Sequence, residues 1–223
     1  MKKIFLVLSL LLCISVTYAQ SNFIEFKDGK VLNFGDDPIT EKNPMFKKSV
    51  LKVNGESYEI ETIKGYQHNG TYYAQNFGGF FTRVAQGKLN YYRRIDLVTD
   101  SRGKTRQVVL AYLQKGENQK WVSFSNNALI RMVGDNKKAK SMALSFKKST
   151  RLSNIMLISG GLGMFAGAMM IMASNIGESK STNLTIPGIV LAGAGLGTVV
   201  LAYVRKFKTG NNVTDIVTYY NKS

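Results

Sequence analysis

The chain has almost none of the residues from which metal centres and nucleophilic sites are built. It contains one cysteine, Cys13, and one histidine, His68, among 223 residues. Cys13 falls in an N-terminal leader, so the remainder has no thiol, which excludes disulfides and thiolate-held metals there. A Ser-His-Asp or histidine-metal site would have to rest on His68 alone, in a Gln67-His68-Asn69-Gly70 turn. There is no GxxxxGK[ST] phosphate loop and no GxGxxG between a strand and a helix, because Gly160-Gly161-Leu162-Gly163 lies inside an apolar run. The carboxylate pairs Asp36-Asp37 and Glu59/Glu61 occupy a loop and an exposed strand face, where solvated charge is the default. No catalytic residue, no metal site and no cofactor are expected, and the chain reads as a non-enzyme.

Acidic side chains are also scarce, 14 against 30 lysines and arginines, for a formal charge of +16. Such an excess favours anionic partners, and for an exported chain these are lipid head groups or an acidic protein rather than nucleic acid. Charge of either sign is missing altogether from residues 152–173 and 184–204. At about 1.5 Å of rise per residue each run reaches about 30 Å, the thickness of a bilayer's hydrocarbon core. The pair therefore reads as a transmembrane helical hairpin. Small residues recur four apart, Ser159, Gly163 and Gly167 in the first run, Gly188 and Ala192, then Gly193 and Gly197, in the second. Such stripes let helices approach closely in lipid, so these seven are the expected helix-packing residues. Gly160, Gly161, Ala168 and Gly195 lie off these stripes and leave a second face for another helix.

The hairpin is flanked by cations. Lys137, Lys138, Lys140, Lys147, Lys148 and Arg151 precede it, and Arg205, Lys206 and Lys208 follow it. Together they form an expected basic collar for anionic lipid or a partner protein. Residues 1–19 carry Lys2 and Lys3, an apolar stretch over 4–16 and a Thr17-Tyr18-Ala19 end, the pattern of a secretory signal peptide cut after Ala19. Leu12 before Cys13 speaks against lipidation. Export places the collar outside the cytosol, the reverse of the positive-inside rule, so the collar needs an anionic lipid or partner to explain it.

From Asn22 to Phe124 short segments rich in Val, Ile, Tyr, Phe and Thr alternate with turn dipeptides, Asp28-Gly29, Asn54-Gly55 and Asn69-Gly70. These accept the positive φ of tight hairpin turns. Residues 56–63 alternate polar and apolar as one strand, and further hairpins turn near Gln86-Gly87 and Gly116. About eight to ten strands result. The fold class is mainly β, an antiparallel meander forming a small sandwich or partly closed barrel, followed by the α-helical hairpin and a short amphipathic C-terminal helix. Leu129, Ile130 and Val133 fall at helical spacing with Gly134 as C-cap. Val213, Ile216, Val217 and Tyr220 give the last helix an apolar face that packs back on the β domain. The organisation is thus 1–19 signal peptide, 20–124 exported antiparallel β domain, 125–151 basic helical connector, 152–204 hairpin and 205–223 basic tail. Aromatics interleaved with cations, Phe80-Phe81-Thr82-Arg83 and Tyr91-Tyr92-Arg93-Arg94, offer either ordinary strand pairs or a stacking platform.

Several stretches, the Tyr18-Ala19-Gln20 leader end, Gly70-Thr71-Tyr72-Tyr73-Ala74 through Gly87-Lys88-Leu89-Asn90-Tyr91-Tyr92, Tyr112-Leu113-Gln114-Lys115-Gly116, and Tyr219-Tyr220-Asn221, resemble exported β-domain proteins of unassigned function from Bacteroidota. The likeness covers residues 66–135 and the two ends. It implies a Gram-negative cell envelope and transfers no active site. The glycine hairpin is similar to glycine-zipper membrane segments in packing only. The expected role is a noncatalytic, membrane-anchored envelope protein with its β domain in the periplasm, an accessory or assembly subunit of a larger complex. The alternatives are a homo-oligomeric pore or stress-responsive membrane protein and, remotely, an envelope hydrolase.

Overall fold

A computed structural model describes residues 22–42, 48–175, 182–209 and 212–223. The leader and the tip of the hairpin, residues 176–181, lie outside the described residues. The chain is mainly β followed by helices. The strands are β1 Asn22–Phe26, β2 Val31–Phe34, β3 Thr40–Lys42, β4 Val50–Val53, β5 Glu56–Glu59, β6 Ile63–His68, β7 Thr71–Asn76, β8 Gly79–Ala85, β9 Leu89–Thr99, β10 Thr105–Lys115 and β11 Val122–Ser123. The helices are α1 Asn126–Met132, α2 Lys137–Asn175, α3 Thr182–Thr209 and α4 Asn212–Lys222. Among the described residues two compact units separate, residues 22–86 with 90–123, and residues 87–89 with 124–223.

In the first unit eight antiparallel strands form one sheet in the order β11-β10-β9-β8-β7-β6-β1-β2, and β3-β4-β5 form a second. The connections are hairpins because the turn residues accept left-handed backbone. Asn54 and Gly55 have φ of 52° and 82°, and Asn69 and Gly70 have 50° and 73°. A fourth hairpin, between β7 and β8, is invisible to a search for Asn-Gly because Phe77 takes the first position at φ 47°, with Gly78 at 73°.

The alternating stretch over 56–63 is not one strand. β5 ends at Glu59, a 3-10 turn covers Ile60–Thr62, and β6 begins at Ile63. The turn moves the chain from the small sheet to the large one. It also brings Ile60 and Ile63, three apart, into the same core, as a three-residue repeat does. That core joins Leu51 and Val53 of β4 to Ile24, Phe34 and Phe80 of the large sheet, so the small sheet covers one end of one face. The opposite face carries Ala74, Phe81 and Tyr92 under Tyr72, Tyr112 and Trp121. Phe80 and Phe81, adjacent in β8, serve the two faces in turn, as the pleat requires. β9 and β10, 11 residues each, form the longest hairpin among the described strands. Thr99 and Thr105 hydroxyls meet at 3.0 Å near the turn, and Asn90 lies 3.5 Å from Gln114 near the base. The distal half is uncovered, with Leu97 70% exposed, so burial imprints no pattern on its sequence.

In the second unit Ser125 caps α1, its Oγ accepting from the Ala128 N–H at 3.1 Å. Leu129 and Val133 are fully buried. Gly134 is not the left-handed cap expected of it. The helix closes on Val133 at φ −94°, and the Gly134 N–H donates to the Arg131 carbonyl at 3.3 Å. Asn136 caps α2, accepting from the Ala139 N–H at 2.9 Å, while its Nδ2 donates to Ser223 Oγ at 2.7 Å. All four expected apolar positions of α4 are buried. The helix packs on α2, its Tyr220 hydroxyl donates to Asp135 at 2.8 Å, and Asn221 holds both backbone groups of Leu89, at 2.8 and 2.9 Å.

Phe77 is 65% exposed in a backbone region that costs a β-carbon-bearing residue about 1 kcal/mol or more. Phe77→Asn is expected to raise the unfolding free energy by about 1 kcal/mol. Urea unfolding followed by the single tryptophan, Trp121, checks this; a fall would show that the ring contact with Tyr112, at 5.1 Å between centroids, outweighs the strain.

Candidate membrane-interaction site

Helix α2 is 39 residues long, about 58 Å at the usual rise, and α3 has 28. Both are long and apolar enough to cross a membrane, and only 11% of the most apolar window of each is buried. Ile158, Leu162, Phe165, Ile186 and Val190 are each about two-thirds exposed, so the apolar side chains face outward around the pair.

The helices meet antiparallel, backbone against backbone. A β-carbon added to Gly160 would sit 2.7 Å from the Gly195 carbonyl oxygen, and one on Gly167 would sit 2.5 Å from both the Ala192 nitrogen and the Gly188 oxygen. Gly195 and Gly188 meet the same obstruction from the other side, at Gly160 and Gly167. Glycine is obligatory here, and the close approach admits Cα–H···O contacts that stand in for the missing hydrophobic drive in lipid. The buried small residues step by seven, Ser153, Gly160, Gly167 and Ser174 on α2, and Gly188, Gly195 and Ala202 on α3. A seven-residue period keeps one seam facing its partner along a left-handed pair, so the seam extends over four turns and more. Towards the tip the Thr185 hydroxyl donates to Ser174 Oγ at 2.8 Å, and Ser174 donates to the Ile171 carbonyl at 2.7 Å.

The structure thus redistributes the expected packing residues. Gly163, Gly167, Gly188 and Ala192 lie in the seam. Ser159 is exposed, with its hydroxyl turned to the Met156 carbonyl at 3.4 Å. Gly193 and Gly197 have nothing within 4 Å of an added β-carbon, as does Gly161. Gly160 and Gly195, set aside by the four-residue spacing, carry the tightest contacts together with Gly167. A seven-residue scan would have found them.

The same register determines the collar. Counting outward from the Gly160–Gly195 contact, Lys147, Lys148 and Arg151 come level with Arg205, Lys206 and Lys208 at the end where the chain enters and leaves the hairpin. Arg205 Nη1 reaches Met156 Sδ across the pair at 3.7 Å. Lys137, Lys138 and Lys140 do not join this ring, because Lys140 is two helical turns, about 10 Å, beyond Lys147. Lys138 Nζ lies 4.8 Å above the Tyr219 ring, and Lys147 Nζ donates to Asn127 Oδ1 at 2.9 Å. Between Lys137 and Lys208 the sequence holds one acidic residue, Glu178.

In the β unit His68 stacks on Phe34, 6.4 Å between ring centroids. Asp36 accepts from Asn22 Nδ2 at 3.2 Å, and Glu59 pairs with Lys48 at 2.8 Å. Among the described residues no three His, Cys, Asp or Glu side chains cluster as a metal site would need. The two aromatic-basic strips divide between the faces. Tyr66, Tyr73, Thr82 and Arg93 stand opposite one another across four strands. They line an open groove of about 980 Å³. Burial pushes the Tyr66 hydroxyl well above the usual phenol range, and burial with the neighbouring Glu25 does the same to Tyr72.

Gly167→Leu is expected to cost about 1–3 kcal/mol through forced separation of the helices, whereas Gly197→Leu costs nothing measurable. Thermal melts in micelles compare them. Replacing Lys147, Lys148 and Arg151 by glutamine is expected to lower preference for anionic over zwitterionic lipid by about 1 kcal/mol, about fivefold, per charge; mass spectrometry of lipids retained from mixed nanodiscs reads this directly. No family model, curated protein or solved structure matches the chain.

Proposed function

We propose that the chain is a noncatalytic protein of a Gram-negative cell envelope, exported by the signal peptide of residues 1–19, anchored by the α2–α3 hairpin, with its β unit in the periplasm. In that setting it serves as an accessory or assembly subunit of a larger envelope complex. The observation that carries this reading is the outward face of the hairpin. Residues such as Ile158, Phe165 and Val190 find neither a core nor polar company, and a lipid phase is the solvent in which such a surface is stable. The ring of Lys147, Lys148, Arg151, Arg205, Lys206 and Lys208 then falls at the head-group level, where lipid phosphates supply the anions that the helices lack. This also accounts for a basic flank on the exported side, against the usual bias.

Self-association is the second reading. Gly161, Gly193 and Gly197 leave a smooth outer surface after the seam is formed, and four-residue glycine spacing suits a further helix. The two readings differ in one measurement. Tagged protein purified from native membranes in mild detergent is expected to remain in the membrane fraction through alkaline carbonate and to co-elute with stoichiometric foreign subunits. A particle whose mass is a multiple of this chain alone would favour the second reading, and release by carbonate would refute both.

A further inference from the structure

The face of the large sheet opposite the small one carries a second pocket, of about 280 Å³, that membrane anchoring does not use. Its wall on one side is the chain's single tryptophan. Trp121 lies flat on Tyr92, 3.9 Å between centroids at 13°, meets Phe81 edge-on at 5.5 Å and lies tilted to Tyr112 at 5.9 Å. The loop before Trp121 is immobilised by Gln114. This nearly buried amide accepts the Tyr92 hydroxyl at 2.9 Å and donates to the carbonyls of Glu117 and Gln119 at 2.7 and 2.9 Å. The indole is therefore held before any ligand arrives.

The other wall is a planar cation on a planar ring. The Arg83 guanidinium sits 4.0 Å over Tyr72, and no carboxylate pairs with it among the described residues. Tyr72 lies against Gly65, where any side chain would collide with its ring, and its hydroxyl donates to Glu25 at 3.0 Å. Glu25 also takes Lys64 at 2.6 Å, so charge on this wall is largely balanced before Arg83 is counted.

We infer that this pocket binds one pyranose unit of a glycan. A pyranose presents an apolar C–H face suited to a fixed aromatic wall and a rim of hydroxyls suited to a flat, multidentate group, here the Arg83 fork. The volume lies near the lower end of the range for small-molecule sites, about 300 Å³, enough for a single ring and its substituents. The rigid Trp121–Tyr92 pair and the stacked Arg83 limit the ordering cost on binding.

Because the chain has one tryptophan, its emission reports on this pocket alone. Full-length protein in nanodiscs, without glycoside detergents, is titrated with chitotetraose, maltotetraose and tetragalacturonate. The expected result is a saturable change in Trp121 emission with at least one of them. Arg83→Ala is expected to weaken it about tenfold, while Arg93→Ala, in the groove on the opposite face, leaves it unchanged. Melting curves establish that the variants fold, and calorimetry on the unsubstituted protein repeats the measurement without relying on the fluorophore. No saturable response to any of the three probes, or an Arg83→Ala affinity equal to that of the unsubstituted protein, would overturn the assignment.

Discussion

Two helices touching backbone to backbone hold the second half of this protein together. Among the described residues the tightest contacts between α2 and α3 are glycine on glycine, Gly160 against Gly195 and Gly167 against Gly188. In water such an interface would be a poor use of an apolar helix, since most of the bulky side chains that normally supply the driving force point away, Val199 and Ile171 against the seam glycines excepted. In lipid those outward side chains need no burial, and what remains to be gained is close packing and weak polar contact along the seam. The position of every other feature of the hairpin follows from the register of that contact.

That register is why the cations of two separated segments reach one level, and why Lys137, Lys138 and Lys140 do not. It also leaves a polar clamp, Thr185 to Ser174, near the tip. At the other end the joint from α1 to α2 is closed by the last residues of the chain, with Tyr220 on Asp135 and Ser223 on Asn136. The C-terminal helix therefore returns to the start of the first membrane-length helix, giving the hairpin a base packed from Leu129, Val133, Ala139, Ala143 and the apolar face of α4.

The β unit obeys a different constraint. Its large sheet buries both faces, but unevenly: the small sheet covers one end of one face, and an aromatic layer led by Trp121 covers part of the other. Where cover stops, a groove or pocket opens. The long β9–β10 ribbon runs beyond all cover, and its alternation of Arg93, Ile95, Leu97 and Thr99 with Arg94, Asp96 and Val98 records strand geometry without recording a core.

Much was legible from residue order alone. Charge-free runs of membrane length, Asn-Gly turns and the spacing of Val213, Ile216, Val217 and Tyr220 are local signals, because each reflects the preference of a short segment for its own backbone or solvent. The hairpin contact was legible only in part. A four-residue stripe and a seven-residue stripe through the same glycines are both chemically reasonable, and only the partner helix selects between them, which is how Gly160 and Gly195 entered the seam and Ser159, Gly193 and Gly197 left it. In the same way, the Phe77 turn, the 3-10 step at Ile60 and the meeting of Arg83, Tyr72 and Trp121 depend on where distant strands lie. Sequence by itself determined the elements and the solvent each prefers; tertiary structure decided which faces meet, because close contact is a property of pairs that no single segment carries.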